Sequence, residues 1–179
     1  ASNITTLIGT AADLNTAYAS SGISGLGNET ITLSDTSLAA SVLNDLDDHT
    51  SGILDASSIT TLTGRFADLS TAYDSSGISG LESTAVTVNQ GLINISQANA
   101  IAAATSGVVT AIISDGDMTS LAGLAETGNA YSITITDNVV AAPALSSLDS
   151  KTTVPIDASR IEMIYGNYNE ILNIYTAKN

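Results

Sequence analysis

The stretch SSGISGL occurs twice, from Ser20 to Leu26 and from Ser75 to Leu81, 55 positions apart. The match extends well beyond it. ASNITTLIGTAADLNTAYASSGISGL from Ala1 aligns without a gap on ASSITTLTGRFADLSTAYDSSGISGL from Ala56. A fixed period constrains the fold more than any single residue does. Each copy needs the same surroundings as the last, and stacking copies on one another supplies them. A third copy, DASRIEMIYGNYNEILNIYTAKN from Asp157, matches the run from Asp55 at an offset of 102. The intervening run repeats at that same offset: Leu33, Asp35, Leu43, Leu46, Asp47 and Asp55 become Ile135, Asp137, Leu145, Leu148, Asp149 and Asp157. VTVNQGLINISQANAIAAATSG, from Val86 to Gly107, is a degenerate copy between them that keeps the TSG of Thr50–Gly52.

Two periodicities alternate within each unit. Ile31 and Leu33, Val86 and Val88, and Ile133 and Ile135 alternate with Thr or Ser, the pattern of a half-buried strand. Ile59, Leu62, Phe66, Leu69 and Tyr73 recur at spacings of three and four, which predicts one face of a long helix. Ile4, Leu7, Ala11, Leu14 and Tyr18, and Ile161, Ile164, Tyr168, Ile171 and Tyr175, repeat that face. Parallel strands joined by helices favour right-handed crossovers. The expected fold is therefore α/β: a repeat solenoid of stacked strand–helix coils, a parallel sheet on one side and helices on the other. It is similar to leucine-rich-repeat architecture, without the L-x-x-L-x-L-x-x-N signature. One domain is expected over 1-179, with coils at approximately 1-30, 31-52, 53-85, 86-107, 108-132, 133-153 and 154-179. Val108–Ser132 contains SDGD and TGN, both turn-forming, and reads as a variant coil with a shorter helix. SSGISGL reads as the closing loop. Gly22 and Gly77 are expected to be left-handed at a helix C-terminus, with Ile23, Ile78, Leu26 and Leu81 holding the loop to the core.

Composition limits the partners. Apolar residues make up 44% of the chain, but with one Phe, no Trp and six Tyr the core must be aliphatic. Only 12% of residues are charged, about half the usual share. The net charge is -14, and the cations are Arg65, Lys151, Arg160 and Lys178. Nucleic acid, which demands clustered Lys and Arg, is excluded as a partner class, and an anionic membrane surface is disfavoured. No run approaches a membrane span. With no Cys, disulfides, thiolate metal sites and cysteine nucleophiles are absent. The chain does not begin with Met and opens inside a unit, which reads as a piece of a longer protein, with no polar cap at Ala1.

The recurrent acids are the main candidates for chemistry. Asp35, Asp55, Asp137 and Asp157 stand where strand-type runs meet helical runs. Helix capping is the favoured reading, since a carboxylate accepts from the free N–H groups of a first turn. The alternative is a carboxylate ladder bridged by Ca²⁺, which requires several converging oxygens. Asp115 and Asp117 in SDGD offer a second Ca²⁺ candidate, and a turn is the preferred account. His49 is the only His; Ala104 and Lys151 occupy the equivalent positions, so it is expected at the surface. A lone imidazole without a nucleophile elbow does not make a hydrolase. Tyr18, Tyr73 and Tyr175 are equivalent and expected to pack at helix ends. No catalytic, cofactor-binding or metal residue is assigned.

DASSITTLTGRFADLSTAY, TSGILDASS, GNAYSITITD and the SSGISGLGNE closure resemble the Thr/Ser/Ala-rich tandem repeats of giant surface or secreted proteins of marine picocyanobacteria and their phages. The resemblance covers nearly the whole chain. It implies a non-enzymatic segment of a large extracellular, cell-surface or virion-associated protein, acting as a stiff acidic spacer or scaffold. The expected partners are neighbouring repeats or other copies of the chain, end to end. Two alternatives stand beside it: a self-assembling filament subunit, and an adhesin module for a surface glycan. Tyr165, Tyr168 and Arg160 depart from the Ser/Thr-rich pattern and mark a terminal coil or contact surface.

Overall fold

The computed structural model describes residues 4–176, so the expectations placed on Ala1 and Lys178 lie outside the described residues. The chain divides into two compact units, Ala1–Gln90 with Ala104–Gly107, and Gly91–Ala103 with Val108–Asn179. Both are α/β with parallel strands.

The first unit contains β1 (Thr6–Gly9), α1 (Ala11–Ala19), β2 (Thr30–Leu33), β3 (Ser37–Ala39), α2 (Ala40–Asp47), β4 (Leu54–Asp55), β5 (Thr61–Gly64), α3 (Phe66–Asp74), β6 (Ile78–Ser79) and β7 (Ala85–Val88). Its strands form not one sheet but two: β1-β2-β4-β6, and a second in which β3, β5 and β7 are neighbours. The second unit contains α4 (Ile95–Ala104, whose last residue belongs to the first unit), β8 (Val109–Ile112), α5 (Met118–Leu121), β9 (Ala130–Ser132), β10 (Val139–Ala141), α6 (Ala142–Asp149), β11 (Met163–Tyr165) and α7 (Tyr168–Thr176). There β8 pairs with β9 and β10 with β11, both in parallel.

A step of 24 residues recurs in the pairing, with one of 23 between Ile31 and Leu54. Thr6 faces Thr30, Ser37 faces Thr61, Thr61 faces Ala85 and Val139 faces Met163, each pair 24 residues apart. Two such steps fall short of the 55-residue sequence repeat. The equivalent runs Thr6–Gly9 and Thr61–Gly64 consequently lie in different sheets of the first unit. The step contracts to 20 between Thr110 and Ala130. The helix inside that interval, α5, has four residues against ten in α4.

The long helix expected from Ile59 to Tyr73 is not formed. Thr61–Gly64 is strand β5, and α3 begins only at Phe66. Spacings of three and four over so short a run fit either element. The β-branched Thr60, Thr61 and Thr63 decide for the strand. The Thr60 hydroxyl also donates to the Thr36 carbonyl at 3.0 Å, fixing the run against its neighbour. The equivalent runs in β1 and β11 behave alike, so the apolar face splits: Leu62 is a fully buried strand residue, and Leu69 a fully buried helix residue.

The TSG motif has a defined role. Thr50, Thr105 and Thr152 each donate a hydroxyl to a carbonyl 21 residues earlier, on Glu29, Thr84 and Tyr131, at 2.6, 2.7 and 2.8 Å. Each hydroxyl also accepts the N–H two residues on, from Gly52, Gly107 and Val154. At Gly52 and Gly107 the backbone presses so closely on Glu29 and Thr84 that a Cβ would collide with their carbonyls.

SSGISGL also differs from expectation. Gly22 and Gly77 are not left-handed; the positive-φ residues are Gly25 and Gly80, at φ 86° and 87°. Ser20 and Ser75, extended, close α1 and α3. A side chain at Gly77 would instead meet the Asp47 carboxylate, which accepts from the Ser75 hydroxyl at 2.6 Å and would have to move aside. Leu81 is buried as expected, whereas Ile23 is exposed.

Gly107→Ala should lower the unfolding free energy in urea by about 2 kcal/mol, the typical cost of forcing a methyl group into packed backbone. Gly22→Ala, whose Cβ would meet only the Ser20 hydroxyl at 3.7 Å, should leave it within about 0.5 kcal/mol.

Candidate functional site

The recurrent carboxylates divide into two roles, neither of them a ladder. Asp35 Oδ2 accepts from the N–H of Ala11, the first residue of α1, at 2.7 Å. Asp137 Oδ2 accepts from Met118 at the start of α5 at 2.6 Å, and Asp115 Oδ2 from Ile95 at the start of α4 at 2.7 Å. These are helix caps, but each serves a helix that begins about 20 residues earlier in the chain rather than the one that follows. Asp117 caps its own helix by accepting from Ser120 N–H at 2.9 Å. Asp55 and Asp157 instead close turns, accepting from the N–H of Ser57 and Ser159 at 3.0 Å each. Those backbone donors hold both carboxyls below their ordinary range. Among the described residues no three His, Cys, Asp or Glu side chains converge on a point where a metal ion could sit.

A more specialised cluster lies in the first unit. Glu29, at the edge of β2, is completely buried. Its carboxylate accepts from the Tyr18 hydroxyl, from Gly27 N–H at 2.8 Å and from Asn28 N–H at 3.1 Å. Burial alone would raise the Glu29 pKa; the Tyr18 hydroxyl and the backbone donors outweigh it and hold the group below its ordinary value. Tyr18 is pushed well above the usual phenol value by its own burial, and then by Glu29. His49 is exposed, as expected, and its ring stacks on Tyr18 with centroids 5.0 Å apart. Sequence reasoning missed Glu29. The available signal was substitution among copies, since Thr84 and Tyr131 stand at the equivalent positions. Tyr131 in turn is fully buried and pushed up to about 12, by burial and then by Glu126. Each position carries a different interior group, so the cluster works as local packing rather than as a repeated site.

The equivalent tyrosines do not share one environment. Tyr73 is half-buried with its hydroxyl 3.5 Å from the Leu81 carbonyl, and Tyr175 is 70% exposed. The departures expected near the C-terminus do form a surface. Met163, Tyr165, Tyr168, Leu172 and Tyr175 are all exposed, and α7 buries none of its residues. Two concavities open beside it. One, of about 470 Å³, is walled by Leu145, Val154, Pro155, Ile156 and Ile174; the other, of about 290 Å³, by Ile161, Ile164, Ile171 and Ile174. This surface, part aliphatic and part aromatic, with Asp149 and Thr153 lining the first concavity and Glu162 the second, is the candidate functional site. No protein-family model matches the chain, and neither a curated protein nor a solved structure is similar to it.

Asp35→Ala should cost about 1 kcal/mol in urea unfolding by uncapping α1, while Asp35→Asn, which keeps the acceptor, should cost less than half of that. Because the folded Glu29 carboxyl titrates below its ordinary value of 4.5, its contribution is complete above that pH and is lost as the pH falls through the folded value. Acid unfolding curves of Glu29→Gln should therefore show a shallower loss of stability below about pH 4.5 than the parent chain.

Proposed function

We propose that the chain is a non-enzymatic structural repeat module, its strand–helix coils stacked as a solenoid, and that it serves as a stiff acidic spacer or scaffold within a larger extracellular, cell-surface or virion-associated protein. The observation that carries this reading is the pairing step: 24 residues separate paired strands at several places in the first unit and again between β10 and β11 in the second. Side-chain bonds keep the same step, from Asn44 Nδ2 to Asp68 O, from Asn99 Nδ2 to Gly123 O and from Ser106 Oγ to Glu82 O. A chain in which each segment is bonded to its sequence neighbours builds length by addition. Each added coil would lengthen such a stack by about 4.8 Å per strand step. The recurrent acids support the same reading, because they are spent on helix starts and turns. The acidic, hydroxyl-rich exterior favours solubility and repels like-charged surfaces. The tandem repeats that this chain resembles point to the same extracellular setting.

Native-state hydrogen exchange tests the stacking. A quasi-one-dimensional array opens from its ends, so backbone protection should be greatest in the central segments and fall progressively toward both termini. A single uniform protection level, with all core amides exchanging together, would reject the solenoid.

A further inference from the structure

The bonds between segments reach only a short way along the chain. Paired strands lie 20 to 24 residues apart in both units. Side chains keep to a similar range. The Asn44 amide holds the Asp68 carbonyl, 24 residues on, and the Thr84 hydroxyl holds the Ile59 carbonyl, 25 residues back. The Ser75 hydroxyl holds the Asp47 carboxylate, 28 residues back. The widest reach among these bonds, from the Tyr131 hydroxyl to the Ala98 carbonyl, is 33 residues. None of them spans two pairing steps. With no Cys in the chain, no disulfide ties distant segments together.

This connectivity decides how the chain answers a pull on its two ends. Neighbouring strands are separated along the hydrogen-bonding direction, the direction in which stacked coils add. Tension along it opens the ladder one strand pair at a time and does not shear many pairs at once. The strands are short: β1 has four residues, β3 and β10 have three, and β4 and β6 have two. A strand that loses one neighbour keeps another. β2 pairs with β4 as well as β1, and β5 with β7 as well as β3. A fold whose first and last strands paired with each other would yield only as a whole. Here β1 pairs with β2, and β11 with β10.

We propose that the chain is an extensible element, a spacer that lengthens under tension by releasing its coils one at a time and rewinds when the load falls. The inference rests on the stacked-coil reading and adds to it a response to force. A released coil of 24 residues gains about 80 Å of length, at about 3.5 Å per extended residue less the step it occupied in the stack. The interval from Thr110 to Ala130, with 20 residues, gains about one-sixth less. The threonine hydroxyls set the load at which individual steps yield, because each is confined to one step: Thr50 to Glu29, Thr105 to Thr84 and Thr152 to Tyr131. In a larger protein held at one end and loaded at the other, such a series turns force into length and limits the tension on the remaining parts.

Stretching the full chain in an optical trap tests this. The absence of Cys lets one Cys be added at each end to carry the tethers. Under slowly rising load the parent should lengthen in a ladder of events of about 80 Å or less, and regain its length on each relaxation. Thr50→Val and Thr105→Val remove one hydroxyl each with little change in side-chain size. Each should raise the opening rate of one event about five-fold at fixed load, a different event in the two variants, and leave the other events and all increments unchanged. Release of two or more coils together, in single events beyond about 150 Å, overturns the proposal. So does a variant that shifts every event alike, or neither variant shifting any. A chain that opens all at once while its exchange protection still falls toward the termini loses the extensible element and keeps the stack; uniform protection removes the stack itself.

Discussion

The bond between a side chain of one segment and the backbone of a neighbouring segment organises much of this molecule. The Thr hydroxyls at Thr50, Thr105 and Thr152 each hold a carbonyl 21 residues back, and the carboxylates of Asp35, Asp115 and Asp137 each hold the first N–H of an earlier helix. A neutral hydrogen bond contributes only about 1 kcal/mol net, so no single one is decisive. Their effect lies in register. A strand with a buried face cannot slip by one residue without turning that face outward, and these bonds fix the phase that the apolar residues then fill.

That division of labour accounts for the composition. The interior is aliphatic, with Leu43, Leu46, Leu54 and Leu62 fully buried in the first unit and Ile133 in the second among them. Aliphatic residues of similar size can exchange places at modest cost, so packing alone specifies alignment weakly. Small hydroxyl and amide side chains supply the missing specificity at little cost in side-chain entropy. Ser, Thr and Asn are therefore structural parts here, and the scarcity of Lys, Arg and Glu follows from the same economy. Glu29 is the exception, a buried carboxylate kept ionised by a phenol and two backbone donors.

Much of the fold was legible because the signals are local or repeated. Alternation at Ile31 and Leu33 identified β2, and the turn-forming SDGD and TGN foretold the short α5. The errors arose where a local pattern was ambiguous or where the cause lay in another segment. Ile59 and Leu62 are spaced as on a helix, and only the flanking Thr residues and the neighbouring strand separate the two readings. Gly77 reads as a helix-ending residue but lies against the carboxylate of Asp47, far away in sequence. Asp35 was recognised as a cap, but its helix precedes it. In the C-terminal run, Tyr165 and Tyr168, which break the Ser/Thr pattern, marked an exposed surface, whereas the half-burial of Leu7 and Ile164 has no trace in their own sequence.

The contraction of the pairing step from 24 to 20 residues bears on how such a gene can change. The interval is shorter by about one helical turn, and β8 and β9 nonetheless pair residue for residue over Thr110–Ile112 and Ala130–Ser132. Deletions on the helical side are thus absorbed without disturbing the ladder, whereas a single-residue change within a strand would invert its faces. The length of a helix is thus a looser constraint on this chain than the register of a strand.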